Sequence, residues 1–534
     1  MALSETPTAA LSAAPPEAPR NQTEVYAVHG ADPEVLAYAM AKYSRSALSM
    51  KESLREISTQ RAEHFLNTFY FQYGHRSIAD LAHVAFAIER LSLLAAIILV
   101  DEQRWDGQER STRYQNFQKS GWYLPDFSSG ATAGKVFTEA VFTEAAFTEA
   151  IDALFAQYHS TTETMFAHLK GQIVRPPEMK EETYHRTLRA RALDVSRYLL
   201  PLATNTSLGQ IVNARTLETQ ISRLLSDPHA EVRQLGERLR EAAAGSAWNV
   251  QGEALSALQR DIAALDPALG ARAEALLTRE VRIAPTLVKY SAPNDYVLAT
   301  RADLAQVAVE LMKNAPVETQ SAVDLVDDQP LEIDLATTLL YGACQYSYRQ
   351  LARTVASLDA PRRNEIIALG ARHRGRHDEL LREFSAGQGL RFDILMDIGG
   401  FRDMHRHRRC VQILQPFTSA HGYEIPEGLA EAGLLPQYDA AMTHAHKAFV
   451  NVCEAGLVEN AGYVLPLGTR TRALFKMDFA EALYIAELRS TPAGHFSYRR
   501  IAWEMYQAVA RKHPALAQYF RVADIHQPID LLQR

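Results

Sequence analysis

Tyr198-Leu199-Leu200-Pro201-Leu202 recurs 265 residues later as Tyr463-Val464-Leu465-Pro466-Leu467, and each copy is followed by a polar turn and a long stretch with helical character. Each copy also trails an arginine-dense segment, Arg104 to Arg113 in the first case and Arg402 to Arg409 in the second. Self-similarity at long period is the signature of repeated units, and here it reads as an internal duplication. A chain of 534 residues exceeds one ordinary core, so two large units are expected, 24–285 and 286–534, after a disordered tail over 1–23.

The bulk numbers bound the function classes. With 47% hydrophobic and 22% charged residues the chain is globular, and a formal net charge of -7 gives no general attraction for nucleic acid or an anionic membrane. An anionic ligand would therefore depend on local basic clusters. Three cysteines, Cys344, Cys410 and Cys453, show no short paired spacing, which argues against a disulfide framework or a cysteine-ligated zinc and fits a reducing cytoplasm. The Ala- and Pro-rich beginning lacks the basic start and apolar core of a signal peptide. Leu81 to Val100 is long and apolar, but His83, Glu89, Arg90 and Ser92 interrupt it, so it reads as buried strand and helix and no membrane segment is expected.

Along the chain, Glu24 to Asn67 has helical periodicity and Gly74 marks a stop, while Val84 to Ile88 alternates like a strand. Phe-Thr-Glu-Ala repeats within Val136 to Ile151, part of an insert spanning about 131–151. A five-residue step turns ~500° on a helix, so its three Phe form no single stripe. Glu181 to Leu255 reads as helical, and Ala263 to Pro285 as the end of one unit and a linker.

Two segments carry chemistry. In Gln108-Glu109-Arg110-Ser111-Thr112-Arg113-Tyr114, the residues Glu109, Ser111 and Arg113 share one side if the segment is extended. Arg113 then suits bidentate grip of a phosphate with Ser111 as a second donor, against the alternative of a solvated charged loop. Phe401-Arg402-Asp403-Met404-His405-Arg406-His407-Arg408-Arg409 packs four arginines beside one acid, a density that an anion such as phosphate or pyrophosphate would relieve, against the alternative of a solvated basic face. His373 and His377 on a helix, with His405 and His407 on one side of a strand, allow a zinc reading. The intervening arginines oppose it, and no metal is expected. No Gly-rich dinucleotide fingerprint or Walker loop is present.

At these residues the sequence resembles the flavin-dependent thymidylate synthases, whose signature runs from Arg-His-Arg through a serine to an Asn-Glu-x-Ser-x-Arg-Tyr loop. Tyr73-Gly74-His75, Glu109 to Tyr114, Arg197-Tyr198-Leu199-Leu200-Pro201 and Asn213-Ala214-Arg215 match ordered family elements, with Gln108 in place of Asn. The first half has Asp101-Glu102-Gln103 where Arg-His-Arg is expected. The second restores it as Arg406-His407-Arg408 but has Leu414, Pro416 and Thr418 in place of the loop's Glu, Ser and Arg. At the 265-residue offset Arg197, Asn213 and Arg215 pair with Gly462, Asp478 and Ala480, while Arg489 pairs with Leu224. The losses are complementary.

The resemblance implies an α+β fold of two tandem modules, each an antiparallel sheet flanked by helices, with composite sites shared between the repeats. It implies reductive methylation of dUMP to dTMP: FAD takes hydride from NADPH, methylenetetrahydrofolate supplies the carbon, and the reduced flavin completes the methyl group. Glu109, Ser111, Arg113 and Arg197 would hold dUMP, with Ser111 and Arg489 assigned to catalysis, Arg489 polarising the uracil it also binds. His75, Asn213, Arg215, Arg406, His407 and Arg408 would hold FAD. A homodimer would recreate the family's four-module assembly. The competing readings are a flavoenzyme of the same fold acting on another pyrimidine nucleotide and a non-catalytic nucleotide- or flavin-binding paralogue.

Overall fold

The computed structural model describes residues 28, 30–42, 49–56, 76–128, 136–289, 291–318, 321–326, 330–375, 381–384, 389–517 and 520–532, with backbone alone at 56, 76, 77, 136–142, 331, 515 and 516. The helical stretch expected over Glu24 to Asn67 is described as the helices Pro33–Lys42 and Met50–Glu56, and the stop at Gly74 lies outside the described residues.

The apolar run after Leu81 is a strand followed by a helix. Along β1 (His83–Ser92) Val84, Ile88 and Leu91 are buried while His83, Ala85 and Ala87 face out. A bulge at Arg90, with φ of 61°, skips one residue, so Leu91 and not Arg90 turns inward. Ser92 then caps the helix Leu93–Leu99, its Oγ accepting from Ala95 N at 2.9 Å. Among the described residues no helix is long and apolar enough to cross a membrane.

The same succession appears twice. β1, the helix Leu93–Leu99, β2 (Asp106–Glu109), the helix Val136–Gln172, β3 (Asn205–Asn213) and the helix Ala214–Leu225 make the first set. After the edge strand β4 (Val323–Leu325), the second set is β5 (Leu390–Asp397), the helix Ile398–Met404, β6 (Val411–Leu414), the helix Leu435–Glu454, β7 (Arg470–Met477) and the helix Phe479–Ser490. Both sheets are antiparallel, ordered β1-β3-β2 and β4-β5-β7-β6. The caps recur too: Asp397 stands where Ser92 does, and Asp478 where Asn213 does.

β3 and β7 correct the helical reading of Glu181 to Leu255 and of the stretch after Pro466. In β3 the inward positions Thr206, Leu208, Gln210 and Val212 alternate with Ser207, Gly209 and Ile211, a period of two that the polar Thr206 and Gln210 conceal. Gln210 is accommodated by Trp105 Nε1, which donates to its Oε1 at 2.8 Å, and by Gln220. The stretch read as a linker contains the helix Pro267–Leu277, packed on the helix Gly252–Leu265. The Phe-Thr-Glu-Ala segment belongs to the helix Val136–Gln172, and Phe147 is fully buried.

The repeated Tyr-x-Leu-Pro-Leu segments pair with each other. Leu202 N donates to Leu465 O (2.9 Å) and Leu467 N to Leu200 O (2.9 Å), while Ala203 N donates to Tyr463 O (2.8 Å) and Gly468 N to Tyr198 O (2.9 Å). Each bond has its counterpart under exchange of the halves, the reciprocity of a two-fold interface, and Pro201 faces Pro466 at its centre. One continuous apolar core extends from Ala37 to Val509 across both halves.

The outer faces of the two sheets differ. That of the second carries Arg391, Asp393, Arg472 and Lys476, buried beneath the helices Leu331–Tyr341 and Tyr348–Ser357. Arg472 pairs with Asp393 at 3.0 Å and Lys476 with Asp334 at 3.3 Å.

The paired segments leave no room at Gly468, where an added Cβ would lie 2.8 Å from Tyr198 Cδ1 and 3.1 Å from Tyr198 O. Gly468→Ala is expected to destabilise the chain by about 1–3 kcal/mol, the usual range for overpacking. Urea unfolding checks this, and an unchanged midpoint would contradict the packing.

Candidate functional site

Reciprocal pairing of the halves brings the loop after β1 and β2 against the segment after the helix Ile398–Met404. Asp397 caps that helix, its Oδ1 accepting from Gly400 N at 2.6 Å, and the chain turns sharply before β6 begins at Val411. His405 and His407 therefore lie in a turn and do not share one side of a strand. His405 stacks on Phe401, and its Nδ1 lies 2.8 Å from Gln412 Oε1. Arg406 is exposed, whereas His407 is buried.

The first-half loop also departs from expectation. Extended pairing stops at Glu109, with Arg110 N still donating to Ser207 O at 2.9 Å, and from Ser111 the backbone folds into a turn, Gln115 N donating to Ser111 O. β3 offers no further partners there, so Glu109, Ser111 and Arg113 do not line one extended face. Ser111 Oγ accepts from Arg113 N at 3.2 Å, and the Arg113 side chain turns into the interior. Arg113 donates from Nε to Asp194 Oδ1 at 2.8 Å, from Nη1 to the Tyr498 hydroxyl at 2.8 Å, and from Nη2 to Ala493 O at 3.3 Å.

Most of the proposed residues from the two halves converge. Arg402 donates to Glu109, Arg406 donates to Gln108 Oε1 at 2.9 Å, and the Arg408 guanidinium lies 5.2 Å over the Trp105 ring. Arg197, 2% exposed, donates from both Nη atoms to Asp403 Oδ2 at 3.2 Å, and its Nε has no partner; Arg402 Nε is likewise buried without one. Arg489 sits 5.3 Å over the same Tyr498 ring that receives Arg113. Burial alone would raise the Asp403 carboxyl, but Arg197, Arg113, His495 and Arg489 hold it below its ordinary range.

Asn213 and Arg215 stand at the other end of β3. Asn213 caps the helix Ala214–Leu225, and Arg215 pairs with Asp80 at 3.3 Å. Asp80 also takes Arg104, next to the Trp105 that underlies Arg408. His75 and His377 lie outside the described residues. His373 lies at the end of the helix Ala360–Arg372, 2.9 Å from Asp303. Among the described residues no group of His, Cys, Asp and Glu could hold a metal ion.

Charge divides this site in two. Arg113, Arg197 and Arg402 each have a carboxylate partner, whereas Arg406, Arg408 and Arg489 have none among the described ion pairs. At the centre of the latter group, burial and the surrounding Arg489, Arg406 and Arg408 push the His407 pKa down to about 3. His407 is thus neutral: Nε2 accepts from Arg489 Nε at 2.8 Å, and Nδ1 faces Glu481 at 3.5 Å, which places the ring proton there. Three guanidiniums around an uncharged imidazole fit a multiply charged anion such as a pyrophosphate.

Asp194, Asp403 and Tyr498 were not singled out from sequence. Asp194 had a signal, being a lone acid in the otherwise apolar stretch before Arg197, where a buried carboxylate needs a cation.

The profile of the family described as thymidylate synthase complementing protein matches residues 26–246 and 342–515, well over half of the sequence. The chain belongs to this family. Among its relatives is a UPF0159 protein of Chlamydia muridarum, 29% identical over 521 residues, which cover 92% of this chain and 90% of the relative. A flavin-dependent thymidylate synthase of Sulfolobus acidocaldarius is 35% identical over 82 residues, 15% of this chain and 32% of that protein. A solved UMP/dUMP methylase from Streptomyces cacaoi, bound with 5-Br dUMP, matches at 17% identity and a TM-score of 0.29, covering 41% of this chain and 88% of its own. Membership of the thymidylate synthase complementing family rests on the sequence match.

Two predictions follow from the unequal burial of these arginines and from His407. Arg113→Ala removes the guanidinium paired with the buried Asp194 and should cost about 3–5 kcal/mol of stability. The exposed Arg406→Ala should stay within about 0.5 kcal/mol of the parent, and equal losses in denaturant titration would contradict the difference. For pH, the unfolded chain protonates histidine near ~6.5 and the folded chain protonates His407 only near 3, so the unfolded state gains protons first. Stability is retained above pH ~6.5 and falls as pH drops toward 3, by up to about 1.4 kcal/mol per unit for this group. His407→Gln should flatten that slope, and an unchanged slope would show that His407 is not held neutral.

Proposed function

We propose that the chain catalyses the FAD-dependent reductive methylation of dUMP to dTMP, with methylenetetrahydrofolate as carbon donor and NADPH as reductant, at a site assembled from two tandem modules, 24–285 and 286–534. The observation that carries this reading is the meeting of Gln108 and Glu109 of one half with Arg406 and Arg402 of the other, because each half retains what its counterpart has lost. Family membership supplies the chemistry to which this geometry is fitted.

In this reading Arg406, Arg408 and neutral His407 receive the phosphates of FAD, and His75, Asn213 and Arg215 complete its site from the first half. Bound flavin would supply the hydride chemistry. Ser111 and Glu109 orient the nucleotide, and Arg113 and Arg197 take its phosphate by sharing donors with Asp194 and Asp403. The unpartnered Arg197 Nε adds a further donor. Arg489, fixed by His407 and the Tyr498 ring, polarises the pyrimidine as negative charge develops on it. Two such chains would form a homodimer with four modules, working in the cytoplasm.

A non-catalytic paralogue is favoured by one observation, the engagement of Arg113 by Asp194, Tyr498 and Ala493 O, which ties the guanidinium into the fold independently of any substrate. Two measurements separate the readings. The purified protein should bind FAD and show the visible absorption of oxidised flavin, and it should rescue a thymidine-requiring strain. A protein that binds dUMP but neither takes up FAD nor rescues the strain would be the paralogue. Arg406→Ala should weaken FAD binding by ~10- to 100-fold, the range for one charge-assisted hydrogen bond. Undiminished flavin occupancy would remove Arg406 from the site.

A further inference from the structure

Reciprocal pairing of Tyr198–Leu202 with Tyr463–Leu467 means that a site built from the first half's loop and the second half's helix has a counterpart with the roles exchanged. The helices Leu93–Leu99 and Ile398–Met404 stand 305 residues apart, and the helices Ala214–Leu225 and Phe479–Ser490 stand 265 apart, which fixes the corresponding positions. Where the site described above has Glu109, Arg113 and Asp403, the counterpart has Leu414, Thr418 and Ile98. Where it has Arg402 and Arg489, the counterpart has Ile97 and Leu224, respectively 3% and 0% exposed.

The remaining position shows how the space was exchanged. Arg197 lies beside Gly399, where an added Cβ would meet its Nη2 at 3.5 Å and its Cζ at 3.6 Å. In the counterpart Arg197 is replaced by Gly462 and Gly399 by Leu94, and an added Cβ on Gly462 would meet Leu94 Cδ1 at 3.4 Å. The large and small partners have changed sides. On one side a guanidinium, 2% exposed and with an unpartnered Nε, occupies the gap; on the other a leucine fills it. The counterpart's rim is also tied shut by ion pairs, Arg382 with Asp101 at 2.7 Å and Arg223 with Glu102 at 2.8 Å.

We infer that each chain binds one nucleotide phosphate, at Arg197 beside Gly399, and that the pseudosymmetric position is closed by apolar packing of Leu94 against Gly462. This deepens the proposed function and rests on it for the identity of the nucleotide, though not for the number of anion sites. With Arg113, Arg197, Arg402 and Arg489 replaced by Thr, Gly, Ile and Leu, and with Arg382 and Arg223 already engaged by carboxylates, the pseudosymmetric position lacks the guanidiniums that would replace an anion's hydration.

Calorimetric titration of the full chain with dUMP tests the count. The expected result is one dUMP per chain, with binding weakened at least ~10-fold in Arg197→Met, which keeps the side-chain volume, and in Gly399→Leu, which copies the closed side. Leu94→Ala should leave the count at one. Two dUMP per chain, or one that survives Arg197→Met, would overturn the inference. If dUMP does not bind, the methylation reading fails, and thermal stabilisation by inorganic phosphate then decides this inference. Stabilisation abolished by Arg197→Met supports a single anion site there; stabilisation absent in the parent, or retained in the variant, overturns it.

Discussion

Four backbone hydrogen bonds between Tyr198–Ala203 and Tyr463–Gly468 set the geometry on which the rest depends. A backbone ladder fixes register, because a one-residue slip would misplace every side chain it carries. With Pro201 opposite Pro466, the segments just before β3 and β7 are held together, and the helices Val136–Gln172 and Leu435–Glu454 pack on one another. The β1–β2 connection of one half is thereby carried to the Arg402–Arg409 turn of the other. Gly468 is as tightly placed as this requires, with no space for a methyl group.

Charge then follows from that proximity. Buried guanidiniums are tolerated only with partners, and Asp194, Asp403 and Glu109 supply them for Arg113, Arg197 and Arg402. The cluster of Arg406, Arg408 and Arg489 is not compensated in this way, and its most economical internal adjustment is the neutral His407 in its midst. The proposed composite site thus sets three arginines bound to carboxylates beside three that have no carboxylate partner among the described ion pairs.

How far the sequence could be read follows the same physics. The two Tyr-x-Leu-Pro-Leu segments that pair were legible as a recurrence in the sequence, and β1 and the helix after it were legible because Val84 to Leu99 is apolar with period-two and then continuous patterning. β3 was not, since Thr206 and Gln210 face inward and break the hydrophobic alternation; the partners of Gln210, Trp105 and Gln220, are remote in sequence or on another element. The density of arginines was legible, but not which guanidiniums are already paired, because Arg113 meets Asp194 and Tyr498 only through tertiary contacts. The same-face alignment of Glu109, Ser111 and Arg113 failed for a local reason: β3 gives no partner beyond Arg110, and the chain turns.

In the proposed site, one chain supplies both halves. Co-expression of Ser111→Ala and Arg406→Ala chains in a thymidine-requiring strain tests it most directly, with the unaltered chain as the rescuing control. Every site in any mixture of those chains carries one lesion if both halves come from the same molecule, so the pair should rescue no better than either variant alone. Rescue by the pair would overturn this arrangement, because it would require the loop of one chain to meet the arginines of another.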